Sequence, residues 1–281
     1  MLRQRVITAV LLLLILLPAL FATDPIYFVL CTVTLMAAAA WEWGRLSAQK
    51  HTVSLVGAAG LGAACLAFWF SQMDPAQLLD VWLVAALAWL VLAVWALYAG
   101  AARWGMVPPM LRYIGGLALL LASWLALVQS KQVGTNFLLS VMALVWVSDI
   151  CAYFAGRAFG GRWVARKLAV TISPGKTWEG VAGAVLGVGC MALVWTYADT
   201  QTPGVPLSVF SRIAEQWGLL GVLVLGLLVA AGVVGDLLES LFKRAAGVKD
   251  SSGLLPGHGG VLDRVDALLP VLPIALLLVA R

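Results

Sequence analysis

Apolar residues fill this chain in long, nearly unbroken blocks, and polar residues gather in the short segments between them. A block of about 17 to 25 apolar residues is what an α-helix needs to cross the hydrocarbon core of a bilayer. By that measure the pattern predicts nine helices, at roughly 6–22, 26–44, 53–72, 79–100, 113–129, 136–156, 177–198, 217–240 and 262–280. The blocks lack the alternation of a transmembrane barrel strand, so the expected class is all-α, a polytopic integral membrane protein. They divide into an N-terminal region of about five spans, 1–135, and a C-terminal region of about four, 136–281, with no visible repeat between them.

Composition sharpens this picture. With 63% hydrophobic residues, 13 tryptophans and a mean hydropathy of +1.00, the chain has more apolar surface than one soluble core can hide. Its Lys and Arg are distributed by side. If the N-terminus is cytoplasmic, all of them fall in cytoplasmic segments except Lys131, Arg212 and Arg281, the bias expected of inward-facing loops. The N-terminus is therefore expected inside and the C-terminus outside, with the charged loops 157–176 and 241–261 on the cytoplasmic face. Arg3 and Arg5 precede an apolar block that superficially resembles a signal peptide. The block is close to spanning length and has no clear small-residue cleavage site, so it is read as the first membrane helix. Cys31, Cys65, Cys151 and Cys190 stand singly in apolar blocks, which predicts small buried thiols and no zinc or disulfide framework. A sequence pI near 9.2 fits membrane orientation and phosphate handling. Nucleic acid is not an expected partner, because there is no basic tail or aromatic-interleaved platform.

Candidate chemistry is confined to the C-terminal half. In the N-terminal half, Glu42 and Arg45 are spaced to pair on one helix face as a structural feature, and the tryptophans lie mostly near span ends. Beyond residue 145, Asp149, Tyr153 and Arg157 recur every four residues and so share a helix face; an Asp–Arg pair between helices and a functional site are equally compatible with that spacing. The segment SPGKTWEG, 173–180, reads as a helix start with Ser173 as cap and Pro174 in the first turn. Lys176, Thr177 and Glu179 follow in a loop already rich in Arg and Lys, which makes a seat for phosphate at a helix N-terminus.

The densest charge lies in 236–266. Asp236, Glu239, Ser240 and Lys243 project from one helical face, just after Gly232 and Gly235, small residues that permit close helix approach. Arg244, Lys249 and Asp250 lead into a glycine-rich loop with His258, Gly259 and Gly260, whose backbone can present amides to a phosphate. Asp263, Arg264 and Asp266 open the last block. Asp236 on one helix and Asp263 with Asp266 on the next give oxygen ligands suited to Mg2+, and the neighbouring Lys and Arg suit phosphate oxygens. Spacing thus points to phosphoryl or nucleotidyl transfer at the bilayer surface.

These residues resemble the phosphatidate cytidylyltransferase (CDP-diacylglycerol synthase) family. The family's signature is met by Ser240, Lys243, Arg244, Lys249, Asp250, Ser252, Pro256, His258, Gly259, Gly260, Asp263, Arg264 and Asp266. Ser148–Asp149 and SPGKTWEG also look like the family's, although Gly175 stands where the family usually has a second lysine. The resemblance is specific over about 145–266. It implies that CTP and phosphatidate give CDP-diacylglycerol and pyrophosphate, with Mg2+, a second cation such as K+, and a homodimer. It further implies that Asp236, Asp263 and Asp266 bind the metal, with Asp149 as a weaker candidate. Lys176, Lys243, Arg244, Lys249 and Arg264 would bind phosphate, Ser173 and Thr177 would orient the nucleotide, and His258 would shuttle a proton to pyrophosphate or, as is preferred here, hydrogen-bond a phosphate. The expected location is a bacterial inner membrane. The rival readings are a polyprenol kinase, an ether-lipid cytidylyltransferase, and a secondary transporter, which would show repeat symmetry in both halves.

Overall fold

The computed structural model describes residues 2–71 and 75–279; the terminal Arg281 lies outside the described residues. The fold is all-helical. It runs α1 (Leu2–Phe21), α2 (Ile26–Leu46), α3 (His51–Ser71), α4 (Pro75–Met106), α5 (Pro109–Val133), α6 (Thr135–Phe159), α7 (Trp178–Thr200), α8 (Val209–Trp217), a 3-10 turn (Gly218–Leu220), α9 (Gly221–Ala245), α10 (Leu262–Val265) and α11 (Leu268–Val279). Among the described residues there are no strands, only two isolated bridges, Ala169 with Ser173 and Leu255 with Gly259. Seven stretches among the described residues are long and apolar enough to cross a membrane, the last being Val209–Ala245 with α8 and α9 together.

Two short helices depart from the sequence pattern. The stretch after α7 reads as a polar loop, but it contains α8, whose N-terminus is capped by Ser208. Asp199 fixes this corner by accepting hydrogen bonds from Asn136 Nδ2, Ser208 Oγ and Ser211 Oγ. The block expected as one span at 262–280 is broken into α10 and α11. Proline explains the break: Pro270 has no N–H to donate to the carbonyl four residues back, that of Asp266. The amide of Ala267 is satisfied locally by Asp266 Oδ1 at 2.8 Å. Pro273 likewise leaves the Leu269 carbonyl without its helical donor, and Ser123 Oγ of α5 supplies one at 2.8 Å. Helix α11 is the buried axis of the molecule, with Pro270, Val271, Leu272, Ala275 and Leu276 all in the core, packed against α4, α5 and α9.

Small residues set the tightest approaches. Helices α6 and α7 meet where a Cβ on Gly183 or Gly187 would collide with Ala155 or the Cys151 thiol. Across the molecule, a Cβ on Gly235 would come within 2.6 Å of the Asp266 carbonyl and 2.9 Å of Pro270. This contact presses α9 against the break before α11. The cysteines are free, with Cys65 buried and Cys190 exposed; the expectation of buried thiols fails at Cys190, which sits on an outer face of α7.

Candidate active site

Helix α6 delivers Asp149, Tyr153 and Arg157 to one face, with Arg157 Nη1 donating to Tyr153 Oη at 3.1 Å. The loop after α6 folds back over its own end because Glu179 gathers it. One carboxylate oxygen of Glu179 accepts the amides of Gly161, Trp163 and Val164 at 3.0 to 3.1 Å. Glu179 is buried and shapes the loop. The expected helix start at Ser173 shifts to Thr177, whose side chain caps α7 through the Gly180 amide. Ser173 instead closes a turn around Pro174–Gly175, its amide bonded to the Ala169 carbonyl at 2.8 Å and its carbonyl to the Lys176 amide at 3.2 Å. Lys176 emerges from this turn and reaches Asp236 of α9, Nζ to Oδ2, at 2.6 Å. Asp149, Tyr153, Arg157, Lys176, Thr177 and Asp236 thereby line one basin of about 470 Å3.

The second half is built by the Gly235 contact, which sets Asp236 beside Asp266. Asp149 of α6 and Asp236 of α9 line the basin together, and Asp266 follows α10 at the Gly235 contact. They do not form a closed cage: among the described residues, no group of three His, Cys, Asp or Glu side chains stands at metal-ligand geometry. Ser240 Oγ faces Asp236 Oδ1 at 3.4 Å. One turn further along α9, Lys243 sits between Glu239 and Asp263, 2.6 Å from Asp263 Oδ1.

Asp263 is heavily engaged. Its Oδ2 accepts the Ser251 amide and hydroxyl, both at 3.0 Å, and the Gly260 amide at 2.7 Å. The paired glycines are demanded by this packing. Gly259 has a φ of +85°, and a Cβ there would lie 2.6 Å from Asp263 Oδ2, while a Cβ on Gly260 would overlap the Ser251 hydroxyl and the Glu42 carboxylate. Arg264 holds the His258 carbonyl with Nε at 3.0 Å, which closes the loop, and the Nδ1 of His258 is buried without a partner. Arg244, Lys249 and Asp250 stay exposed and do not line the basin.

The expected Glu42–Arg45 pair does not form. The Arg45 guanidinium lies over the Trp41 ring, 4.9 Å from its centroid, on the outer face of α2. Glu42 points inward, fully buried, and bonds the glycine-rich loop. Sequence reasoning missed this residue; the available signal was an acid placed inside an otherwise apolar helix. Beside the site, an apolar cavity of about 950 Å3 runs between α2, α4, α5 and α9, walled by Trp43, Trp89, Trp104 and Phe242 and reaching Glu239 and Asp266 at one end.

Residues 3–281 match the family model described as the cytidylyltransferase family. The chain is 39% identical over 277 residues to a phosphatidate cytidylyltransferase of Pseudomonas aeruginosa, covering 98% of this chain and 95% of that protein. It is 32% identical over 292 residues to the phosphatidate cytidylyltransferase of Haemophilus influenzae, covering 97% and 96%. A third relative of that name, from Brucella melitensis, is 38% identical over 246 residues, covering 86% of this chain and 80% of its own length.

Proposed function

The chain belongs to the cytidylyltransferase family, and on that premise we propose that it transfers the cytidylyl group of CTP to phosphatidate, forming CDP-diacylglycerol and pyrophosphate for phospholipid synthesis. The observation that carries this reading is the Lys176–Asp236 ion pair, which joins the phosphate-seat loop before α7 to the signature helix α9 in one basin. The phosphate of phosphatidate is largely dianionic near neutral pH, its second pKa being about 6. An oxygen of that phosphate attacks the α-phosphorus of CTP, and the bond from that phosphorus to the bridging oxygen breaks as pyrophosphate leaves. Such a step needs alignment and charge compensation more than a strong base.

Lys176 and Arg157 supply cations at the basin, and the Thr177-capped end of α7 supplies free amides and a positive dipole end. Asp236 and Asp266, with Asp149 facing them, would hold Mg2+, which neutralises triphosphate charge when bound. Their fit rests on the donor set: Asp149 and Asp236 line one basin, Asp266 follows at the Gly235 contact, and carboxylate oxygens are the hard donors that Mg2+ takes. Asp263 would join them by exchanging Lys243 at its Oδ1 for the ion, and K+ would act as a second cation. The apolar cavity that ends at Glu239 and Asp266 takes the acyl chains of the lipid.

The topology belongs to the same proposal: nine crossings, the N-terminus inside, the C-terminus outside, and the site on the cytoplasmic side of a bacterial inner membrane, in a homodimer. The Lys and Arg distribution supports it. So does the bond from Thr8 Oγ1 of α1 to the Pro256 carbonyl at 2.9 Å, which puts the start of the chain at the same end as the glycine-rich loop. The test is to incubate purified protein with phosphatidate, Mg2+ and each of CTP, dCTP and ATP. Pyrophosphate and CDP-lipid are expected in equal amounts with CTP. Release of ADP from ATP would make the protein a lipid kinase, and no product with any nucleotide would overturn the enzyme reading.

A further inference from the structure

We infer that Glu42, in the second helix, is a positioning residue for the transfer site, acting through the glycine-rich loop. Glu42 has no exposed surface, and a carboxylate in such a place demands full hydrogen bonding. It receives that from one source. Oε1 accepts the Val261 amide at 2.9 Å and the Ser252 hydroxyl; Oε2 accepts the Leu262 amide at 2.8 Å and the Ser251 hydroxyl at 3.1 Å. All four donors lie in 251–262, which the loop and the start of α10 occupy. Among the described residues no ion pair reaches Glu42, so these four donors are its compensation.

The arrangement acts on chemistry through one shared hydroxyl and one close packing contact. The Ser251 hydroxyl has one hydrogen and faces both Glu42 Oε2 and Asp263 Oδ2, at 3.1 and 3.0 Å. The Gly260 amide donates to Asp263 Oδ2, and the space where a Gly260 Cβ would stand is filled by Glu42 Oε1 and Ser251 Oγ. Glu42 therefore sets where the loop backbone lies, the loop backbone sets Asp263, and Asp263 sets Lys243 of α9. Glutamine cannot replace it. Each oxygen accepts a backbone amide that cannot reorient, so an NH2 at either position would meet a donor and leave a buried donor unpaired.

This inference rests on the cytidylyltransferase reading above, and its test separates the two. Full-length wild type, Glu42→Gln, Glu42→Asp and Ser252→Ala are purified and compared for kcat and KM with CTP, for thermal unfolding, and for amide hydrogen exchange. A positioning role predicts that Glu42→Gln lowers kcat by about 10- to 100-fold, the range for residues that orient catalytic ligands, with little change in KM. Exchange should quicken in 250–262 while α6 and α7 keep wild-type protection. Glu42→Asp should recover part of the loss, and Ser252→Ala should show a few-fold loss with the same local pattern. Wild-type kcat in Glu42→Gln, or uniform loss of protection with unchanged kcat per folded molecule, overturns the proposal. If Glu42→Gln does not fold, wild-type kcat and loop protection in Ser252→Ala overturn it. Wild type that makes no CDP-lipid sinks the cytidylyltransferase reading instead, and the exchange pattern still decides whether Glu42 holds the loop.

Discussion

Asp263 shows how one side chain can be bound by competing demands. Its Oδ2 is committed to two amides and a hydroxyl, and its Oδ1 to Lys243. Replacing it with Asn removes the charge that Lys243 neutralises and places an NH2 where either a lysine or backbone amides must be accepted. Asp263→Asn is expected to lower cytidylyl transfer by at least about 100-fold while the protein still inserts and extracts as wild type, since such charge pairs broken on one side lose several kcal/mol. Conversion of labelled CTP to CDP-lipid by the purified variant measures this, and a rate near wild type would remove Asp263 from the site. At this scale the sequence was most legible where residues repeat along one helix: the shared face of Asp149, Tyr153 and Arg157 stands as spaced. It was least legible at Glu42, because its partners lie more than 200 residues away and no local pattern encodes them.

At the scale of elements, the apolar pattern located the long helices, because twenty-residue blocks leave little choice in a bilayer. It failed where backbone hydrogen bonding decides. The break before α11 follows from two prolines whose effect depends on Ser123 and Gly235 being opposite. Helix α8 was hidden because its amphipathic face is only nine residues long. The cavity between α4, α5 and α9 could not be read either, since its walls away from Asp80, Arg112, Glu239 and Asp266 are as apolar as the faces that meet lipid. If that cavity holds acyl chains, filling it should discriminate by chain length. Ala118→Phe on its α5 wall is expected to raise KM for long-chain phosphatidate about tenfold or more and to leave a short-chain, water-soluble analogue nearly unchanged, as loss of a few buried CH2 contacts at about 0.8 kcal/mol each implies. Equal effects on both substrates would place the chains elsewhere.

For the whole molecule, the charge distribution and the structure bear on one axis. The loop at 157–176 meets α9, the helix that leads into the loop at 241–261, through Lys176 and Asp236, while the turn around Thr202 is at the far end of α7. In a background without native cysteines, Lys249→Cys should react with a membrane-impermeant maleimide only after the cytoplasmic face is opened, and Thr202→Cys should react in intact cells. Labelling of both from the same side would refute the proposed orientation.

The reach of Glu42 also bears on how the protein is made. Its amide donors are 219 and 220 residues further along the chain, so a nascent chain inserts α2 with that carboxylate unpaired and carries it through synthesis of every helix between. The carboxylate is covered only once residues 251–262 have been made. A product truncated before residue 251 therefore lacks the loop and also leaves the Glu42 carboxylate without its four donors.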